Sequence, residues 1–374
     1  MSIGASTVHV ELGDRGYDIR IGSGCLAELG SFVRPLAGGE LAVVVTDTHV
    51  DRVFGGAVVE GLRSAGYRCE RIVLEPGEQT KSLAQVEASY DRLIDFGADR
   101  RTLIVALGGG VIGDLAGFVA ATYQRGVLFL QVPTTLVAQV DSSVGGKVGV
   151  NHPRAKNLIG TFYQPVGVWI DTDVLSTLGE RDYRSGLAEL VKYGVILDAE
   201  FFGWLEGHVD ELRRPDLAVL GRVVARSCRL KADVVEKDER EVTGVREVLN
   251  YGHTFAHAIE TVAGYDSERF RHGEAVAIGM VAASRLAESI GWVGPEVTQR
   301  QARLLAALEL PTLAEGLEPE ALLEAMQRDK KARGGRLRFV LPRRIGAVET
   351  CGQVDRERVL AVLETITSAS AAAR

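Results

Sequence analysis

The stretch 102–114, TLIVALGGGVIGD, decides the fold. Its first six residues form an apolar run of the kind found in strands covered on both faces. Gly108, Gly109, Gly110 and Gly113 follow in G-x-G-x-x-G spacing, and Asp114 stands in the first turn of a helical pattern. A strand that passes through such a turn into a helix presents backbone N–H groups and a helix N-terminus to a pyrophosphate. The acid that usually ends the next strand is missing, because 127–132 (VLFLQV) runs into Pro133, Thr134 and Thr135. Asp47 instead ends an earlier apolar run, 41–46 (LAVVVT). The expectation is a dinucleotide site of non-standard layout; the plainer reading is a tight turn without a ligand.

Outward from this turn, the first half alternates strands and helices. Residues 41–46, 71–74, 102–107 and 127–132 read as strands, 82–96 as a helix and 7–22 as an added hairpin. Short apolar strands separated by helices predict a mostly parallel, Rossmann-like sheet. From about residue 180 helical periodicity takes over, at 184–197, 199–213, 216–237, 246–263, 273–290, 295–308 and 319–328, with one strand at 337–341 and a frayed end after 367. The predicted organisation is an α/β domain over 1–179 and a mostly α-helical domain over 180–374. Ligands are expected where the two meet, outside the carboxyl ends of the strands.

The composition narrows the function. The chain has 374 residues, 46% hydrophobic and 25% charged, with a formal net charge of −7. That balance is globular and lacks the basic footprint of a nucleic-acid binder. Cys25, Cys69, Cys228 and Cys351 are scattered, without a C-x-x-C pair, which fits a reducing compartment and argues against a disulfide framework. No apolar run reaches the ~18 residues of a membrane helix, and the N-terminus has no secretory signal pattern. A cytoplasmic protein with no membrane partner is expected. Gly145-Gly146-Lys147 ends like a phosphate-binding P-loop, but Asp141 stands where its first glycine belongs.

Three of the seven histidines fall between 253 and 272. If 246–263 is one helix, Arg246, Asn250, His253 and His257 lie on a single stripe. His272 precedes a run of small apolar residues, and Glu189, with Lys192 one turn on, sits in another apolar helix. One carboxylate and two imidazoles with an open position form a catalytic zinc set. The spacing leaves open whether His253 or His257 takes the metal. An ordinary Glu189–Lys192 ion pair and structural histidines are the plainer alternatives. H-x-x-x-H lacks the glutamate of a zincin protease. Between residues 123 and 164, Arg125, Lys147, Lys156 and Asn157 gather among glycines with Asp141 and Ser142. Cations in a glycine-rich stretch of an acidic chain point to an anionic small molecule, a phosphate ester in particular.

The blocks 108–126 (GGGVIGDLAGFVAATYQRG), 133–165 (PTTLVAQVDSSVGGKVGVNHPRAKNLIGTFYQP), RSGLAELVKYG, KADVVEKDERE, LNYGHTFAHAIE, RHGEAVAIGM and RDKKARGGRLRFVLPRRIG resemble 3-dehydroquinate synthase, of the sugar-phosphate cyclases. They keep the family's order from about 76 to 346. Two loops, 242–245 (VTGV) and 266–271 (DSERFR), read as longer than the family's usual versions.

The resemblance implies conversion of 3-deoxy-D-arabino-heptulosonate 7-phosphate to 3-dehydroquinate and phosphate, in the shikimate pathway to the aromatic amino acids. The steps are transient oxidation by NAD, β-elimination of phosphate, re-reduction and intramolecular aldol closure. It implies bound NAD and a divalent metal, Zn2+ with Co2+ as the alternative, held by Glu189, His253 and His272. NAD contacts would come from Asp47, Glu78, Lys81, Gly109, Gly110, Val111, Asp114, Thr134, Thr135, Lys147, Lys156 and Thr177. Contacts to the phosphorylated acid substrate would come from Arg125, Asp141, Lys147, Lys156, Asn157, Lys192, Lys231, Arg246, Asn250, His257 and Lys331, with Lys330 as the alternative to Lys331. The family counterpart of Arg125 crosses a dimer interface, so a homodimer is expected. The competing readings are another sugar-phosphate cyclase and a metal-dependent polyol dehydrogenase that consumes NAD.

Overall fold

The computed structural model describes residues 6–332 and 337–368, with the side chains of 329–332 left out. The expected frayed end after 367 lies almost wholly outside the described residues. The strands, in chain order, are β1 (Ser6–Val10), β2 (Tyr17–Gly22), β3 (Leu41–Asp47), β4 (Arg68–Leu74), β5 (Leu103–Gly108), β6 (Leu128–Pro133), β7 (Lys147–His152), β8 (Ala155–Phe162), β9 (Gly167–Asp171), β10 (Phe339–Arg344) and β11 (Ala347–Cys351). The helices that carry the residues discussed below are α1 (Gly110–Thr122), α2 (Glu180–Leu197), α3 (Leu217–Val235), α4 (His253–Val262), α5 (His272–Ser289) and α6 (Pro319–Ala332).

The chain divides into two compact units, Met1–Leu178 with Leu217–Arg240, and Gly179–Asp216 with Glu241–Arg374. The first holds a seven-stranded sheet in the order β1-β2-β9-β6-β5-β3-β4. All its pairings are parallel except β1–β2, the hairpin expected at 7–22. β3 and β5 are apolar and buried along nearly their whole length, as central strands covered on both faces must be. Val43, Val45, Ile104, Ala106, Leu115, Val119 and Phe129 pack into one core.

Three strands of the first unit went unforeseen. β9 is a buried five-residue run that follows closely on the segment read as a polar, glycine-rich loop. β7 and β8 form a separate antiparallel hairpin out of the segment read as a polar, glycine-rich loop. Gly149 and Gly160 face each other across it, and a Cβ on either would meet the opposite backbone carbonyl at 2.5 and 2.4 Å. Glycines that suggest a loop are therefore needed for close strand approach.

The division at 179/180 differs from the structure in one segment, because α3 returns to the first unit. Its apolar face is buried, and the Lys231 ammonium donates to the Asp141 carbonyl at 2.7 Å and to its carboxylate at 2.8 Å. Arg229 donates to the His9 carbonyl, and Glu236 accepts from the Glu11 N–H. Helical periodicity shows that α3 buries a face, not which neighbour covers it.

In the second unit α5 is buried almost end to end. β11 pairs with β10, where one strand was expected. The single helix expected over 246–263 is two elements. Val245–Asn250 is a 3₁₀ helix, Tyr251 and Gly252 break the chain direction, and α4 begins at His253. Gly252 has φ +79°, and a Cβ there would meet the Met280 nitrogen at 3.0 Å and the Val276 carbonyl at 3.1 Å. The four-residue stripe therefore does not exist: Arg246 is buried, Asn250 is exposed, and only His253 and His257 keep helical register.

A test of the packing in the first unit is Gly117→Ala. The new methyl would sit 2.3 Å from Val148 Cγ1 and 2.9 Å from the Phe129 ring. Removing a helix glycine gains up to about 1 kcal/mol, but overpacking costs about 1–3 kcal/mol. The expected result is a lower denaturation midpoint; a raised midpoint would show that the β7–β8 hairpin yields freely.

Candidate active site

Glu189 lies on the buried face of α2, fully shielded from solvent, and Lys192 forms an ion pair with it one turn later. α5 starts against the same helix because Gly273 has no side chain. A Cβ there would stand 1.8 Å from the Ser185 carbonyl oxygen, and the Gly273 N–H donates to Ser185 Oγ at 2.9 Å. Ser185 precedes Glu189 by one turn, so this contact sets His272 beside the carboxylate. α4 approaches α5 by the same device: a Cβ on Gly279 would lie 2.1 Å from the Gly252 carbonyl oxygen. That places His253, the next residue, on the third side.

The result is a compact set. Glu189 Oε1 lies 3.9 Å from His253 Nε2 and 3.8 Å from His272 Nε2. One ligand atom from each residue falls within 4.8 Å of the others. Tetrahedral zinc with bonds of about 2.0–2.1 Å holds its ligands roughly 3.4 Å apart, so small side-chain adjustments suffice. Glu189 Oε1 is buried with no hydrogen-bond donor among the described residues. Such an oxygen costs about 1–3 kcal/mol or more, and a cation between the two rings would satisfy it. The residues therefore fit a divalent metal.

The ring orientations fit as well. His253 Nδ1 faces the Tyr251 carbonyl at 3.1 Å, and a carbonyl only accepts, so Nδ1 carries the proton and Nε2 keeps its lone pair. Burial, followed by the charges of Lys192, His272 and His257, holds His253 well below the usual imidazole range. His272 Nδ1 faces Glu260 Oε1 at 3.2 Å. Burial opposes a charge on His272, but the Glu260 hydrogen bond and charge outweigh it and raise this imidazole. Arg181 grips Glu274 with two hydrogen bonds, at 2.7 and 2.8 Å, and Glu274 accepts from the Arg271 N–H, so the start of α5 is pinned.

His257 is one turn beyond His253, with ring centroids 5.7 Å apart, and is not part of the three-ligand set. Arg246 is buried beside Glu241, at 3.5 Å. Lys331 and Lys330 fall in the last turn of α6, with their side chains outside the described ones. Glu260 was missed by the sequence reading. Its signal was present, seven residues after His253 and so on the same helical face.

In the first unit the glycine-rich turn joins β5 to α1. Gly108 and Gly113 serve packing, since a Cβ would meet Ile112 at 2.7 Å and Gln131 at 2.9 Å respectively. Gly109 and Gly110 stand against Thr135 and Ser142, and the Thr134 N–H donates to the Gly108 carbonyl at 3.0 Å. Val111 is half-buried in the first turn of α1. Asp47 ends β3 and caps the next turn through the N–H groups of His49 and Val50. Lys81 donates to Asp114 at 2.5 Å and to Asn157 at 2.6 Å. Glu78 accepts from Asn151, a residue the sequence reading did not single out. Lys147 is exposed at the start of β7 and Lys156 is half-buried on β8. Thr177 is exposed, its hydroxyl donating to the Val174 carbonyl. Arg125 is exposed on a tip where Gln124 and Arg125 both have positive φ, 52° and 69°.

The metal reading has a direct test. Glu260→Ala is expected to weaken zinc affinity about 10–100-fold in chelator competition, and Glu260→Gln to retain more of it. His253→Ala and His272→Ala are expected to lose stoichiometric metal, and His257→Ala to keep it. Metal loss in His257→Ala with retention in His253→Ala would reassign the ligand.

Known proteins share this chain's sequence and fold. The N-terminal 3-dehydroquinate synthase model matches residues 71–185 and the C-terminal one 186–332. A 3-dehydroquinate synthase of Geobacter metallireducens is 52% identical over 356 residues, covering 95% of this chain and 98% of the relative. The structure of 2-epi-5-epi-valiolone synthase from Streptomyces hygroscopicus with NAD+ and Zn2+ bound is 29% identical, with a TM-score of 0.84, covering 94% of this chain and 96% of that one. That of 2-deoxy-scyllo-inosose synthase complexed with carbaglucose-6-phosphate, NAD+ and Co2+ is 27% identical, with a TM-score of 0.86, covering 96% and 99%. By sequence over nearly its whole length, this chain belongs to the 3-dehydroquinate synthase family.

Proposed function

We propose that this chain converts 3-deoxy-D-arabino-heptulosonate 7-phosphate to 3-dehydroquinate and phosphate, with NAD and a divalent metal, in the shikimate pathway. The observation that carries the reading is the family membership over nearly the full length, in a chain whose Glu189, His253 and His272 converge. When bound, NAD would accept a hydride from a carbinol carbon and later return it, and the dication would supply Lewis acidity at the oxygen on that carbon.

Glu189, His253 and His272 are the proposed metal ligands, with zinc as the resident ion. Glu260 fixes the His272 ring and the Tyr251 carbonyl that of His253. The turn at Gly109–Gly110, Val111, Asp47, Glu78, Lys81, Asp114, Thr134, Thr135, Lys147, Lys156 and Thr177 are the proposed NAD contacts. Lys147, Asn157, His257 and Lys331 hold the substrate phosphate. Arg246 and Lys231 hold its carboxylate, with Arg246 able to present a two-pronged fork. Asp141 orients the Lys231 ammonium. Lys192 and Asn250 complete the substrate contacts. Held this way, the substrate pays its orientational entropy on binding, and the later steps proceed within one fixed frame.

We further propose a homodimer in the cytoplasm. The exposed Arg125 on its left-handed tip supports the first, since backbone held in a sparsely populated region is characteristic of functional contacts. Four free cysteines fit the reducing compartment. Among the described residues no helix is long and apolar enough to cross a membrane.

Incubation with the heptulosonate phosphate and trace NAD is expected to release phosphate and form 3-dehydroquinate while total NADH stays flat. NADH accumulating in step with turnover would instead establish a dehydrogenase. Arg246→Ala is expected to weaken substrate binding by about 2–5 kcal/mol, as for truncation of one partner of a buried charge pair. Unchanged KM and kcat would remove Arg246 from carboxylate binding.

A further inference from the structure

Asn151 sits at the crossing of two segments to which the functional reading gives different ligands. The 78–81 turn belongs to the proposed NAD site, and Asn157 to the proposed phosphate site. The Asn151 side-chain amide donates to Glu78 Oε1 at 2.6 Å, and its carbonyl oxygen accepts the Asn157 N–H at 2.9 Å. Its own N–H donates to the Lys81 carbonyl at 2.8 Å. Lys81 returns to Asn157, donating to its side-chain oxygen at 2.6 Å. The four residues thus close a ring: Glu78 to Asn151 to Asn157 to Lys81, and back along the turn. The amide orientation follows from the partners, because a carboxylate only accepts and an N–H only donates.

Two further features give the ring consequence. Asn157 has φ +57°, a left-handed conformation that costs an L-residue energy and must be held by its surroundings. The Asn151 carbonyl is what its N–H binds. Lys81 is buried and also pairs with Asp114, so a ligand that settles on the 78–81 turn and keeps this ring closed also keeps Asn157 in its held conformation. Only an amide of this length supplies a donor at one end and an acceptor at the other. Aspartate would set a second carboxylate against Glu78.

We propose that Asn151 is a positioning residue that couples NAD binding at the 78–81 turn to phosphate binding at Asn157, so that either ligand strengthens the other. This rests on the ligand assignments proposed above. Coupling of this kind is reciprocal and is commonly a factor of about 5 or more.

The test measures NAD affinity of the zinc-loaded protein by calorimetry, with and without saturating inorganic phosphate. The wild type is expected to bind NAD several-fold more tightly with phosphate. In Asn151→Ala and Asn151→Asp that factor is expected to fall close to one, while NAD alone still binds and thermal unfolding stays cooperative. Adding Glu78→Gln to Asn151→Asp lets the new amide donate to the new carboxylate, and is expected to restore part of the factor whatever it does to affinity itself. A filler role for Asn151 would give no such rescue. A factor in Asn151→Ala equal to the wild type's, a wild-type factor of one, or failure of the double variant to improve on Asn151→Asp overturns the coupling. A wild type that binds no NAD overturns the assignment of the NAD site itself, a separate result.

Discussion

Backbone-to-backbone contact between helices, permitted by glycine, is the constraint on which the candidate metal centre depends. Gly273 lets the start of α5 rest on the Ser185 carbonyl of α2, and Gly279 lets the Gly252 carbonyl rest on α5. No side chain could be inserted at either point without moving a helix by more than an ångström. Each contact lies within a turn or two of a candidate ligand, so the separation of Glu189, His253 and His272 is set by main chain, which shifts far less than side chains do. Gly252 adds a second function: its left-handed φ breaks the helix and turns the Tyr251 carbonyl onto His253 Nδ1.

This arrangement is electrostatically expensive. A carboxylate and an ammonium ion withdrawn from water each cost several kcal/mol, which their mutual attraction repays only in part. Glu189 and Lys192 are both almost completely buried. Two imidazoles face the same carboxylate oxygen, one kept neutral by burial and one supported by Glu260. A site built for stability alone would place apolar side chains here. The retained cost fits the candidate metal centre, where a cation would offset the buried carboxylate.

The first unit shows a different economy. Its glycine-rich turn resembles a pure ligand cradle, yet Gly108 and Gly113 are accounted for by Ile112 and Gln131 packing against them. Half of the motif is thus demanded by the fold itself, which is why such a pattern alone is weak evidence for a dinucleotide. What surrounds the turn is more specific. Lys81, Asp114, Asn151, Asn157 and Glu78 form one hydrogen-bonded group from segments far apart in the chain. Each of these hydrogen bonds joins a donor to an acceptor, so the segments are tied together rather than left as solvated loops.

The amino-acid order by itself determined the central parallel strands, the edge hairpin and the helical second half, because alternation and apolar runs report burial locally. It also drew attention to Glu189, His272 and the pair His253 and His257, since ionisable residues inside apolar helices are conspicuous, but spacing did not choose between the two histidines of the pair. Periodicity could not place what depends on distant neighbours. α3 packs with the first unit because of Asp141, Gln139 and the β1–β2 hairpin. The Arg246–Asn250–His253–His257 stripe dissolves at Gly252 because α5 occupies the space beside it. The β7–β8 hairpin hides behind glycines that read as a loop, and Asn151 and Glu260 matter only through the residues they meet. A sequence states which side chains will leave water; tertiary structure alone decides which of them then share a partner.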